Sequence, residues 1–429
     1  MDAEHVATAH QLDLRQAITA SLLISLSMVF VAACGSDSAG ASIPIPTPEQ
    51  EVVSLGGTSN DTPSSTSLDV TPALVEDTAD ALPRIGEVGS LAQGIHGISG
   101  WINTEPFTLE SLRGQVVLVD FWTYTCVNCI RTIPFLKDWH EKYADLGLII
   151  VGVHSPEFQF EEVRENVEAA VEKFEIGWPV LQDNDFETWL AFNNQFWPTK
   201  YLMDKDGVIQ YVHFGEGAYD ETELAIRQLL QETGASLDGI AANPDPGPVG
   251  DEMAISGGIV TGQTQELFAG LFLNIYSPTP FIIQAELYTN PPDSQILFED
   301  PGNHQNNTLY LHGMWSNGSE SAKHARVTEN LEDYVALKYY GTSVNVVLGI
   351  ESEPYKVYLT VDDDPIPLVD RGADVQEDED GATFILVDID RMYRLTESPE
   401  YGGHEMKLSS NSDEFAVFSF TFGSYESGP

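Results

Sequence analysis

Two cysteines, Cys126 and Cys129, stand three residues apart in the segment QVVLVDFWTYTCVNCIRTIPFLKDWHEKY. Thiols at that spacing can close and open a disulfide, so the chemistry on offer is exchange of a disulfide with another molecule. A free thiol, with a pKa of ~8.5, is only a few per cent ionised at neutral pH; the unpaired N–H groups and dipole at a helix N-terminus raise that fraction. Cys126, at the expected helix start, is the candidate nucleophile, and Cys129, one turn inside, the candidate resolving thiol. Asp120 lies in an apolar run where an unpaired carboxylate is costly, which predicts a raised pKa and a role as proton acceptor for Cys129, with a structural hydrogen bond as the alternative. His154 and Glu157, in GVHSPEF, are further candidates to line the site, and Trp122 and Tyr124 candidates to face a substrate. Tetrahedral zinc needs ligands that a single cysteine pair does not supply, so no metal is expected.

The elements that must position these residues follow from the pattern. Val116 to Trp122 reads as a buried strand, followed by a short turn and a helix carrying the cysteines at its start. A second strand covers Leu148 to Val153, a helical stretch runs roughly over 160–174, and a strand at Lys200–Met203 precedes the turn Asp204–Gly207. A final helix covers Glu221 to Gln231.

With these offsets the segment resembles thioredoxin, and more closely the exported TlpA/DipZ-type relatives of thioredoxin. Asp120, six residues before Cys126, falls on the buried acid of that family, Trp122 on its tryptophan and Pro134 on the proline of the active-site helix. Trp197-Pro198-Thr199 resembles the cis-proline segment that faces the cysteines. The resemblance implies that Trp197, Pro198 and Thr199 bind substrate as an added strand. The stretch between Cys129 and Pro198 is longer than in plain thioredoxin and resembles the central insertion of the TlpA and peroxiredoxin branches. A peroxidase is the alternative, since Thr123-x-x-Cys126 mimics part of the peroxiredoxin pattern; Val119 stands where that pattern has proline.

Upstream, the apolar run ITASLLISLSMVFVAA is shorter than the roughly 20 residues of a membrane span and ends in small residues, so residues 1–34 read as a signal segment. Cys34 after Val31-Ala32-Ala33 resembles a bacterial lipobox, which implies lipidation at Cys34 and an extracytoplasmic, membrane-anchored protein. Residues 35–84, rich in Ser, Thr, Pro, Gly and acids, read as a disordered tether. The 429 residues carry 19 Lys+Arg against 67 Asp+Glu, a net charge of −48, which repels phosphate backbones and excludes nucleic-acid binding.

The redox domain is expected over 85–235 and a Pro/Gly-rich linker over 236–265. Over 266–429, short runs such as TLYLHGMW, DYVALKYYG, SVNVVLGI, YKVYLTVDD, ATFILVDID and EFAVFSFTFG alternate apolar with polar residues between turn signals, which predicts an all-β sandwich. ELY, RMYRL and the closing FTFG resemble the C-terminal domain of DipZ-type proteins. That likeness implies a carbohydrate-binding jelly roll; Trp315, Tyr339 and Tyr340 are candidates to stack on sugar, with core packing the expected fate of most of these rings, and a protein-docking surface or a spacer is the alternative to sugar binding.

The fold class is thus an α/β thioredoxin-like domain followed by an all-β jelly-roll or β-sandwich domain. The expected function is thiol:disulfide oxidoreduction on exported proteins, with no cofactor beyond the Cys126–Cys129 pair. The resemblance adds a separate membrane dithiol donor of CcdA/DipZ type. A non-enzymatic surface binder is the remaining competitor.

Overall fold

The computed structural model describes residues 86–243 and 263–423. The signal segment, Cys34, the tether and most of the linker lie outside the described residues. Among the described residues no helix is long and apolar enough to cross a membrane.

The first domain is built on a six-stranded sheet, in order β1 (Gly100–Ile102), β4 (Val180–Gln182), β3 (Leu148–His154), β2 (Val116–Trp122), β5 (Thr199–Met203) and β6 (Ile209–Phe214). β2 is buried along its whole length, as a central strand rich in β-branched residues should be, and runs parallel to β3 and antiparallel to β5. Its side chains alternate between two cores. Val116, Leu118 and Trp122 face a cluster with helix α1 (Val127–Tyr143), α2 (Arg164–Lys173) and α4 (Tyr219–Glu232). Val117, Val119 and Phe121 face the opposite cluster, with Trp189 of the short α3 (Glu187–Ala191).

Helix α1 buries Cys129, Ile133, Leu136, Trp139 and Tyr143, a stripe at three- and four-residue spacing, and contains Pro134. A 3-10 turn follows it, and the chain reverses at Gly147, whose φ of 102° suits glycine. The expected strands and helices are all present. The stretch expected to be helical over 160–174 divides into a 3-10 turn (Gln159–Glu162) and α2. The domain also extends beyond the expected limit at 235: Leu237 is buried in its core, and Arg227 donates to the Ile240 carbonyl at 3.0 Å.

The second domain is mostly β. Its ladders are all antiparallel and join into one continuous 11-stranded sheet. The cause lies in two long strands, β11 (Tyr334–Gly349) and β16 (Arg391–Ser409). DYVALKYYG and SVNVVLGI were expected as two strands; they form one, passing through register shifts at Gly341/Ser343 and Val344/Asn345. The first half of β11 pairs with β9 (Leu309–Asn317) and its second half with β17 (Ala416–Gly423), so the sheet folds around a single core that includes Trp315, Leu337, Val346, Tyr393 and Phe420. Trp315 is fully buried and Tyr339 is 3% exposed. Trp315 and Tyr339 are therefore core residues, as expected of most of these rings, rather than sugar-stacking ones, and only Tyr340 of the three retains partial exposure.

The two domains share an apolar seam. Val347, Met392 and Phe418, on the outer face of the second sheet, form one cluster with Phe158 and Phe160 of the inserted loop and with Val127 and Ile130 at the start of α1. The Phe418 ring lies 5.2 Å from Phe158 and 5.0 Å from Phe160, edge to face in both pairs.

Candidate active site

Cys126 is the N-cap of α1, with extended backbone, and its sulfur accepts the Cys129 N–H at 3.3 Å. One of the helix's unpaired donors is thereby satisfied by the reactive atom itself. Cys126 is partly exposed, whereas Cys129 is 2% exposed. Both thiols are free. Burial, followed by the hydrogen bond that its S–H makes to Cys126, pushes the Cys129 thiol well above its usual range. An incoming disulfide can reach Cys126 only, and Cys129 needs a proton acceptor before it can attack.

Asp120 projects from β2 toward the same core as Cys129 and is 3% exposed; burial pushes its carboxyl up to about 7, with Lys200 opposing the rise. Its Oδ1 atom has no hydrogen-bond partner, so the structural hydrogen bond is not made at that oxygen.

The Trp197-Pro198 peptide bond is cis. Thr199 pairs with Phe121, so this segment lies at the end of β2 from which the cysteine turn departs. Trp197 is half-buried, packs on the cluster that Cys126 also touches, and donates its indole N–H to the Ser155 carbonyl at 3.0 Å. Pro198 and Thr199 are buried, and the Thr199 hydroxyl turns back to the Phe196 carbonyl at 2.8 Å. Thr199, expected within the substrate-binding segment, thus keeps its side chain inside the fold.

The expectation that Trp122 and Tyr124 face substrate is corrected. They are 2% and 4% exposed and both pack on His154, Trp122 edge-on at 5.2 Å and Tyr124 stacked at 5.7 Å. They support the cysteine turn from behind. His154 is fully buried, with its pKa pushed down to about 3 by burial, so it is a neutral packing residue. Glu157 is brought to the site: burial raises its pKa, and the nearby charges of Glu266, Glu161, Cys126 and Glu320 raise it further.

Sequence reasoning missed Glu161. Its carboxylate is fully buried and accepts from the Thr125 hydroxyl (2.6 Å) and N–H (3.3 Å) with one oxygen, and from the Glu157 (2.5 Å) and Phe158 (3.1 Å) N–H groups with the other. It ties the residue before Cys126 to the inserted loop. It also missed Glu320, which reaches from the second domain to accept the Gln159 N–H at 3.1 Å. Among the described residues no group of three or more His, Cys, Asp or Glu side chains is placed to hold a metal ion.

A half-exposed thiol at a helix N-cap, a buried thiol one turn on, a buried acid on the adjoining strand and a cis-proline segment beside them define a thioredoxin-like thiol–disulfide oxidoreductase site. Residues 99–212 match the AhpC/TSA family, and residues 283–423 match the family described as thioredoxin like C-terminal domain. The chain is 42% identical over 163 residues to protein DipZ of Mycobacterium bovis, covering 37% of this chain and 23% of that protein. It thus spans about a quarter of the length of that relative. It is 28% identical over 138 residues to thiol-disulfide oxidoreductase YkuV of Bacillus subtilis, covering 32% of this chain and 92% of that one. Among solved structures, a thiol-disulfide isomerase from Corynebacterium glutamicum aligns at 25% identity and a TM-score of 0.30, covering 34% of this chain and 96% of that one.

Proposed function

We propose that the protein reduces disulfides of exported proteins from the outer side of a membrane, to which a lipid on Cys34 holds it. Reduced Cys126 attacks one sulfur of the substrate disulfide and the other sulfur leaves as a thiol. Cys129 gives its proton to Asp120 and attacks the Cys126 sulfur; the internal disulfide forms and the second substrate thiol is released. A membrane dithiol donor of CcdA/DipZ type returns two electrons and two protons. The observation that carries the reading is the division of labour at the helix start: one sulfur open to another molecule and hydrogen-bonded to the helix, the other sealed beside an acid.

The test is insulin reduction with a chemical dithiol as donor. Both Cys126→Ser and Cys129→Ser abolish turnover, and Cys129→Ser accumulates mixed disulfides with envelope proteins. A thiol peroxidase would instead consume hydrogen peroxide at a rate set by Cys126; Thr123 argues against it, being fully buried with its hydroxyl 3.3 Å from the His154 Nε2 atom. A reduction potential near ~−120 mV rather than the ~−270 mV of a reductant would reverse the direction of transfer. For the second domain, the seam beside Cys126 supports a protein-docking role over sugar binding. Anchoring is checked by lipid labelling, which Cys34→Ala removes.

A further inference from the structure

Strands β3 and β4 run parallel and are in register at His154 and Gln182, so Ser155 and Asp183 leave the sheet side by side at its carboxyl edge. Asp183 is fully buried, where a carboxylate is tolerated only with donors around it. It has three. One oxygen accepts the Thr188 N–H at 3.0 Å; the other accepts the Trp189 N–H at 2.8 Å and the Ser155 hydroxyl at 3.1 Å. The first two bonds satisfy unpaired donors at the start of α3, and that end needs no serine. The third ties it to the end of β3. Ser155 in turn stands between the two halves of the site. Its N–H donates to the Trp122 carbonyl at 3.1 Å, on the strand that leads to the cysteines, and its carbonyl accepts the Trp197 indole N–H at 3.0 Å. The Trp197 ring also lies 4.3 Å, centroid to centroid, from that of Trp189, and meets Phe186 edge-on at 6.3 Å. Phe186 donates its N–H to the Asp183 carbonyl at 3.0 Å. All three of these contacts on Trp197 trace back to residue 183. Among the described residues neither the N–H nor the carbonyl of Trp197 bonds to another backbone group, which leaves both for an added strand.

Building on the exchange reaction above, we infer that Asp183 is a positioning residue for the substrate: through Ser155 and Trp189 it fixes Trp197, and with it the backbone edge along which the chain carrying the target disulfide lies. Asp183 makes no hydrogen bond to either cysteine and acts through Trp197. Its loss frees the Trp197 ring to turn while the two sulfurs keep their places, so the cost falls on aligning a polypeptide and not on the exchange itself. A helix cap alone would act otherwise. Loosening α3 without reaching Trp197 lowers stability and treats large and small disulfides alike.

The test uses the full chain with a chemical dithiol as donor and compares insulin, which offers a backbone to pair, with hydroxyethyl disulfide, which offers none. Asp183→Asn keeps the size of the side chain but sets an amide NH2 among N–H donors. It should raise KM for insulin about ten-fold with kcat within about two-fold of wild type, and slow the small disulfide by less than about two-fold. Ser155→Ala keeps both bonds to α3 and removes only the hydroxyl link, so it should show the same split at about three-fold. If Asp183→Asn fails to fold, Ser155→Ala alone decides. Trp197→Phe, which deletes the indole N–H, should weaken insulin binding too, and adding Asp183→Asn or Ser155→Ala to it should cost less than the product of the separate losses. Equal slowing on both disulfides, a wild-type KM for insulin, or losses that multiply in full on Trp197→Phe overturn the role of Asp183. In each of those cases a wild type that reduces insulin leaves the exchange reaction standing, and only this inference falls. If the wild type reduces neither disulfide, both fall.

Discussion

Asp120 keeps its proton to about pH 7, whereas an aspartate in an unfolded chain loses it near 3.8. Below 3.8 both states are protonated and the group has no effect on folding. As pH rises from 3.8 toward 7 the unfolded chain gives up the proton while the folded one retains it, so stability falls across that window and levels off above it. The size of the effect is about 4 kcal/mol at most, a large fraction of the 5–15 kcal/mol typical of a domain. Asp120→Asn should therefore raise the urea midpoint at pH 8 and flatten its decline between pH 4 and 7. Some decline will remain, because Asp183 is also pushed up to about 7, by burial. The same substitution slows the resolving step, so activity and stability move in opposite directions at one residue. A stable but slow variant marks the acid as functional; loss of both stability and activity would contradict its role.

The inserted loop and the cysteine turn are joined by one side chain at the level of elements. Glu161→Ala leaves four donors without their acceptor, and each buried donor left unsatisfied costs about 1–3 kcal/mol. Partial entry of water lowers the total, so a loss of about 2–4 kcal/mol is expected in urea unfolding, with slower exchange at Cys126 as the turn before it loosens. Glu161→Gln, which retains a carbonyl acceptor, should lose less. What could be read from the chain before its structure follows a physical division. Cys126, Cys129 and Asp120 stand at short offsets on one strand and one helix, so local pattern is enough to single them out, and the family resemblance adds Pro134. Glu161 carries no such mark: it acts through a loop folding back. Trp122, Tyr124 and Trp315 look exposed or buried alike in a sequence, and only packing decided for the core. The bulge that makes one strand of DYVALKYYG and SVNVVLGI depends on β16 and β17, which lie far along the chain.

Across the whole molecule, the domain seam has its own pH dependence. Burial, with Glu161 and Glu162 nearby, pushes Glu320 up from 4.5 to about 7. Docked Glu320 holds a proton between those values that an undocked one would release, so docking weakens as pH rises through that range. Amide exchange at Gln159 should quicken from pH 5 to 7.5 after correction for intrinsic rates, and Glu320→Gln should remove most of the change. Phe418→Ala takes away the ring that meets Phe158 and Phe160 and should speed proteolytic cutting of the linker several-fold, while leaving strand β17 paired. The seam also bears on how the protein can be divided for study. A fragment ending at 243 would turn Val127, Ile130, Phe158 and Phe160 toward water beside a reactive sulfur, an oily face that seeks any available cover. Sedimentation should find such fragments more strongly associated than the intact chain, and their rates would describe an enzyme with one wall missing.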